Sequence, residues 1–130
     1  MNSISVEEFV SFFDAGMADG RKEGWLEERD HINRKEPLQR KDAARIVHEY
    51  MKRVLMEKDF DDISAAAVLR DIYDCHVCVN HVAQVYLKGI MDAKTVAKNK
   101  EEFLIFGNND FVTKKEAGEI ISRLQKKMFS

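Results

Sequence analysis

A chain of 130 residues suits one domain or two small copies of one unit. Its hydrophobic fraction of 45% supports a core of moderate size and excludes a disordered polymer. With 21 basic and 23 acidic residues, the net charge of -2 gives no overall field for nucleic acid or anionic membrane, and no apolar run is long enough to insert into a bilayer.

The N-terminus, Met1 to Glu8, lacks a basic region followed by an apolar stretch, so no secretory signal is expected in the chain as given. A complete product is expected in the cytoplasm; a processed fragment would belong at the cell surface. Val6, Phe9, Val10 and Phe13 then form one face of a helix. Ser5 and Glu8 mark its start as a capping box, and Gly16 and Gly20 are expected to end it. Residues 21–38 read as a long loop of mixed charge. Ala43, Ile46, Val47, Tyr50, Met51 and Val54 form the face of a second helix. The Ala-rich stretch from Ser64 to Arg70 predicts a short helix, capped by Asp61 and Asp62. A third helix runs from His76 to Lys88, with Cys78, Val82, Val85 and Tyr86 inward and Gly89 as its stop. After a second loop, residues 94–112, Thr113 and Glu116 cap a fourth helix with Ala117, Ile120, Ile121, Leu124 and Met128 on one face. A single proline and six glycines argue against a turn-rich β-sandwich, so the prediction is all-α. Loops as long as these two are often functional.

These elements repeat. A displacement of 73 residues lays Ile4, Val6, Phe9, Phe13, Gly16, Met17 and Asp19 on Val77, Val79, Val82, Tyr86, Gly89, Ile90 and Asp92. A displacement of 74 lays Gln39, Arg40, Lys41, Asp42, Ala43, Ile46 and Val47 on Thr113, Lys114, Lys115, Glu116, Ala117, Ile120 and Ile121. The one-residue slip lies in the long loop, where insertions are tolerated. The expected architecture is one domain, 1–130, of two pseudo-repeated helix–loop–helix units packed as a small bundle. Repeat one covers residues 4–55, the connector 56–70 and repeat two 71–128. Phe9, Val10, Phe13, Ile46, Val47, Tyr50, Val82, Val85, Tyr86, Phe106, Ile120, Ile121 and Leu124 should point inward. A bundle this small is expected to leave one apolar face for a homodimer or a partner helix.

The unit resembles the S-layer homology module. That family opens with Asp-Val, then His-Trp-Ala and an apolar helix ending in Gly-Ile; here Asp71-Ile72, His76-Val77-Cys78 and Gly89-Ile90-Met91-Asp92 hold those places. Its loop Phe and Thr-Arg-Ala-Glu-Ala helix start find counterparts in Phe106 and Thr113-Lys114-Lys115-Glu116-Ala117. The first copy keeps Gly16-Met17-Ala18-Asp19-Gly20, Pro37-Leu38 and Gln39-Arg40-Lys41-Asp42-Ala43. The family's tryptophan is Val77 here, and the second glycine of its turn is Ala93. The resemblance implies a non-catalytic anchor for anionic, often pyruvylated, cell-wall polysaccharide. It assigns the cations to Arg40 and Lys114, close backbone approach to Gly16 and Gly89, and hydroxyl acceptance to Asp19 and Asp92. Arg40 could hold a carboxylate through two hydrogen bonds, Lys114 only as a point charge.

Other constellations are weaker. Cys75, His76, Cys78 and His81 offer zinc-type donors, but no second ligand pair accompanies them, so core packing of free cysteines is the reading and no metal is expected. Two cysteines make no disulfide framework. A nucleophile elbow, a phosphate-cradling glycine loop and calcium-loop spacing are all missing, so neither catalysis nor a cofactor is expected. Trp25, inside the first loop, is either a satellite-core anchor or a stacking surface for sugar or partner. Two functions follow: the glycan-binding module, using Arg40, Lys114 and Trp25, or a cytoplasmic protein-interaction or dimerisation module that kept the fold and lost the glycan site.

Overall fold

The computed structural model describes residues 2–13 and 16–128. Its helices are α1 (Val6–Ser11), α2 (Met17–Glu23), α3 (Glu28–Ile32), α4 (Arg40–Arg53), α5 (Val79–Leu87) and α6 (Lys114–Met128). Short 3-10 turns lie at Ser64–Val68, Ile72–Asp74 and His76–Cys78. Strands β1 (Lys94–Lys98) and β2 (Glu101–Ile105) pair antiparallel, Lys94 opposite Ile105 and Lys98 opposite Glu101. The all-α prediction is therefore corrected to a mixed fold, 53% helical and 14% strand. Both long loops carry structure: α2 and α3 occupy the first, the hairpin the second. Asn99 and Lys100, both at positive φ (53° and 67°), make the two-residue turn that a right-twisted hairpin favours.

Three helices start from one backbone ring. The Ile4 N–H donates to the Val112 carbonyl (3.0 Å), the Val112 N–H to Leu38 (2.8 Å), and the Leu38 N–H to Ile4 (2.9 Å). Each of these buried residues immediately precedes the cap of a helix: Ser5 for α1, Gln39 for α4, Thr113 for α6. The ring thus groups α1 with α4 and α6, whereas the 73-residue displacement pairs α1 with α5. Ser5 and Glu8 form the expected reciprocal capping box. At α6 only half the box forms. Thr113 Oγ1 accepts from the Glu116 N–H at 3.0 Å, while the Glu116 carboxylate turns to Arg40.

The apolar faces of α1, α4, α5 and α6 meet in one core with Phe106, Leu38 and Val112. α4 packs along α5. The expected inward residues are buried, except that Val54, Cys78 and Tyr86 are only partly so; the Met128 side chain lies outside the described residues. Gly20 does not end the first helix but sits inside α2, with its Cα face against Leu26 and Trp25. The connector is tied down by Gln84 of α5, which exchanges hydrogen bonds with the backbone of Phe60 (2.9 and 3.0 Å). The Asp71 carboxylate accepts from the Phe106 and Gly107 N–H groups (2.7 and 2.8 Å) and fixes the end of the hairpin.

The expected apolar bundle face is not found among the described residues. Their large exposed hydrophobic residues are Phe12, Ile32, Met56, Phe60, Val68, Tyr73, Val77 and Phe111. Among the described residues none of them lies on α4, α5 or α6, because the core already receives the apolar stripe of each. No helix is long and apolar enough to cross a membrane.

Candidate functional site

The residues singled out from the sequence do not converge on one groove. Arg40 is 1% exposed, and each nitrogen of its guanidinium has a partner. Nε donates to the Phe106 carbonyl (2.8 Å), Nη2 to the Asp92 carbonyl (2.5 Å), Nη1 pairs with Glu116, and the plane stacks over the Phe106 ring. It is a latch between α4, the hairpin and α6, and at 1% exposure it presents no surface to a ligand carboxylate of the kind the resemblance implied. The Asp92 carboxylate is held by Arg123 through two bonds (2.9 and 3.0 Å). Lys114 is exposed at the start of α6. Asp19 caps α2 by accepting from the Gly16 N–H at 3.0 Å. Gly16 is therefore a helix start in extended conformation, whereas Gly89 is a left-handed helix stop (φ 74°) with open space at its Cα. Trp25 is 1% exposed and joins Phe13 and Tyr50 in an aromatic cluster, so it anchors the core and offers no stacking surface.

A groove does exist, on the polar face of α4. Asp42, Arg45, Glu49 and Arg53 recur every three or four residues and so share that face. Three cavities of about 320, 290 and 250 Å³ lie along it. The first two share Arg29 and Asp42, and the last two share Glu27, Arg45 and His81. The walls are residues 27–37 on one side and the Cys75–His81 segment on the other, so the groove runs between the two halves of the chain. Its floor is held by an ion pair: Arg45 donates to both oxygens of buried Asp30 (2.9 and 2.7 Å). Burial pulls the Arg45 pKa down, but the Asp30 hydrogen bonds and charge, with Glu27 and Asp42, more than reverse this and raise it. Arg29 pairs with Glu27 at 2.7 Å. Lys41, half-buried in the first turn of α4, makes no ion pair among the described residues. It was not among the residues singled out, although it follows Arg40 directly.

The Cys75–His81 segment differs from the sequence expectation. Cys75 and Cys78 are not free core thiols; they are joined in a disulfide at the head of α5. In this oxidised form they offer no thiolate to a metal, and His76 is exposed. His81 turns instead toward α4, where its Nδ1 lies 2.7 Å from Nδ1 of buried His48. His48 Nε2 lies 2.7 Å from the Asp59 carboxylate, which Asn80 also supports (3.1 Å). Burial, with the neighbouring His48, holds the His81 pKa down to about 4, so the ring is neutral at pH 7. Burial raises the Asp59 pKa, but the bonds from His48 and Asn80 outweigh it and keep it below the usual carboxylate range. Nothing in the spacing of His48 and His81 announces this contact; the α4–α5 packing creates it.

Compared with known proteins, the chain matches no family model, no curated protein and no solved structure.

Proposed function

We propose that the chain is a non-catalytic binding module of S-layer homology type, which takes an anionic cell-wall polysaccharide in the groove along α4. The observation that carries this reading is the groove itself: an extended trough of mixed polar and apolar lining between the two halves of the chain, with Lys41 as a cation not consumed by a carboxylate among the described residues. Open troughs that carry charged side chains suit hydrated polymers better than compact apolar ligands, whose pockets are mostly hydrophobic. The ligand cation is thereby reassigned from Arg40 to Lys41, with exposed Lys114 as the remaining candidate from the family pattern. Co-sedimentation with Gram-positive sacculi that retain their polymers tests this. Wild-type protein is expected to pellet at low salt and less so at high salt, and Lys41→Ala to remain in solution. Equal pelleting of both proteins at every salt concentration would contradict the assignment.

The second reading, a protein-interaction module, draws on exposed apolar residues in the same groove. Val77, 83% exposed, and Phe111, 51% exposed, line its cavities. Light scattering tests its dimeric form: a mass that rises to twice 15.1 kDa with concentration supports it, and a constant monomer mass counts against it.

A further inference from the structure

We propose that His48, His81 and Glu49 form a binding site for a divalent transition-metal ion of the zinc class, built between α4 and α5 and open to the groove. Their ligand atoms, one from each side chain, lie within 4.8 Å of one another. Two imidazole nitrogens and one carboxylate, with a fourth position left to water or ligand, form a donor set that zinc favours.

The hydrogen bonds prepare the donors. The Asp59 carboxylate is an acceptor, so the 2.7 Å contact places the His48 proton on Nε2, which donates it to Asp59. That leaves the His48 Nδ1 lone pair bare and directed at His81. A carboxylate behind a ligating histidine is the usual outer-sphere arrangement of zinc sites, fixing both tautomer and ring orientation. Burial of His48 at 1% exposure, and the bond from Asn80 to Asp59, hold this pair in place. His81 now bridges to His48 through a single Nδ1 proton at 2.7 Å. Two nitrogens on one tetrahedral zinc lie about 3.3 Å apart, from bonds of about 2.0–2.1 Å. The rings therefore separate by only about half an ångström when the ion replaces that proton, which His81 then carries on Nε2. No net proton is lost.

The surrounding charges permit a cation. Arg45 is paired with Asp30 through two bonds, and Glu49 and Asp59 supply negative charge against Lys52. Glu49 is paired with half-exposed Arg53 at 2.8 Å. A metal would replace Arg53 as the partner of the Glu49 carboxylate, which is 20% exposed. Entry is provided by the cavity of about 250 Å³, which both Glu49 and His81 line.

The test is a calorimetric titration of the oxidised protein with zinc ion, without reductant, so that the disulfide keeps both cysteines out of coordination. One ion per chain is expected. His81→Ala should weaken binding about 100-fold, Asp59→Asn about 10-fold, and the exposed control His76→Ala should leave it unchanged. Histidine side-chain nitrogen spectra of the wild-type protein give a readout independent of any variant: zinc should move the Nδ1 signals of His48 and His81 and not those of His31 and His76. Absence of saturable binding up to millimolar zinc would overturn the proposal. So would unchanged affinity in folded His81→Ala, or spectral shifts confined to His76.

Discussion

Replacing Arg40 by alanine is expected to destabilise the fold rather than to abolish a ligand contact directly. The guanidinium satisfies the carbonyl of Phe106, a residue with no exposed surface, the carbonyl of Asp92 and the carboxylate of Glu116. An orphaned buried carbonyl costs about 1–3 kcal/mol, and breaking a buried ion pair about 3–5 kcal/mol. Glu116 is 23% exposed and partly rehydrates, which places the sum near the low end, about 4 kcal/mol. For a domain of this size that corresponds to a fall in melting temperature of about 12–20 °C. Arg40→Lys keeps the charge but reaches fewer acceptors, and should lose about half as much. Lys114→Ala, on the surface, should stay within about 0.5 kcal/mol. Urea unfolding followed by far-ultraviolet circular dichroism reads all three. An Arg40→Ala protein as stable as wild type would refute the latch.

Other consequences are open to direct test. Gly20→Ala should lose about 1–3 kcal/mol, because its Cβ would sit 2.5 Å from Leu26 Cδ1 and 3.1 Å from Trp25 Cη2; the gain in stability usual for an unobstructed helical glycine would show the α2–Trp25 packing to be wrong. Alkylation of the unfolded, unreduced protein should label neither cysteine, and reduction should lower stability by no more than about 2 kcal/mol for so short a loop; two labels before reduction would contradict the disulfide. The folded His81 pKa, about 4, lies below its ordinary 6.5, so the unfolded chain takes up the proton first and stability falls as pH drops from 6.5 toward 4. After allowance for solvent screening of a half-buried ring, the loss is about 1–2 kcal/mol, and it should shrink in His81→Gln; the same loss in both proteins would assign the pH dependence to other groups.

Local signals in the sequence were faithful where local energetics decide. The stripes of α4 and α6, the capping box of Ser5 and Glu8, and the stop at Gly89 are all realised. The hairpin escaped because β1 and β2 are polar and half-exposed, with little apolar alternation, and because Lys100 is an unusual residue for a left-handed turn position. The backbone ring had a signal that went unused: Ile4-Ser5, Leu38-Gln39 and Val112-Thr113 each place an apolar residue before a cap, with an acid three residues after that cap. Alignment of α1 with α5 by their apolar stripes concealed it. Arg40 could not be told from a solvated first-turn cation, since its partners at Asp92, Phe106 and Glu116 are distant in sequence. The same holds for Trp25, whose burial depends on Phe13 and Tyr50 reaching it from α4 and the end of α1. The groove, too, is a product of tertiary packing: α4 supplies a recognisable polar face, but its two walls come from segments with no common sequence signature.

The most direct measurement is an amide nitrogen–proton correlation spectrum of the protein titrated with soluble anionic polysaccharide released from Gram-positive walls. Binding in the groove along α4 predicts saturable shifts centred on Lys41, Asp42, Asn33 and the Cys78–His81 segment, lost in Lys41→Ala. Shifts centred elsewhere, or none in a folded sample, would contradict the glycan-binding groove.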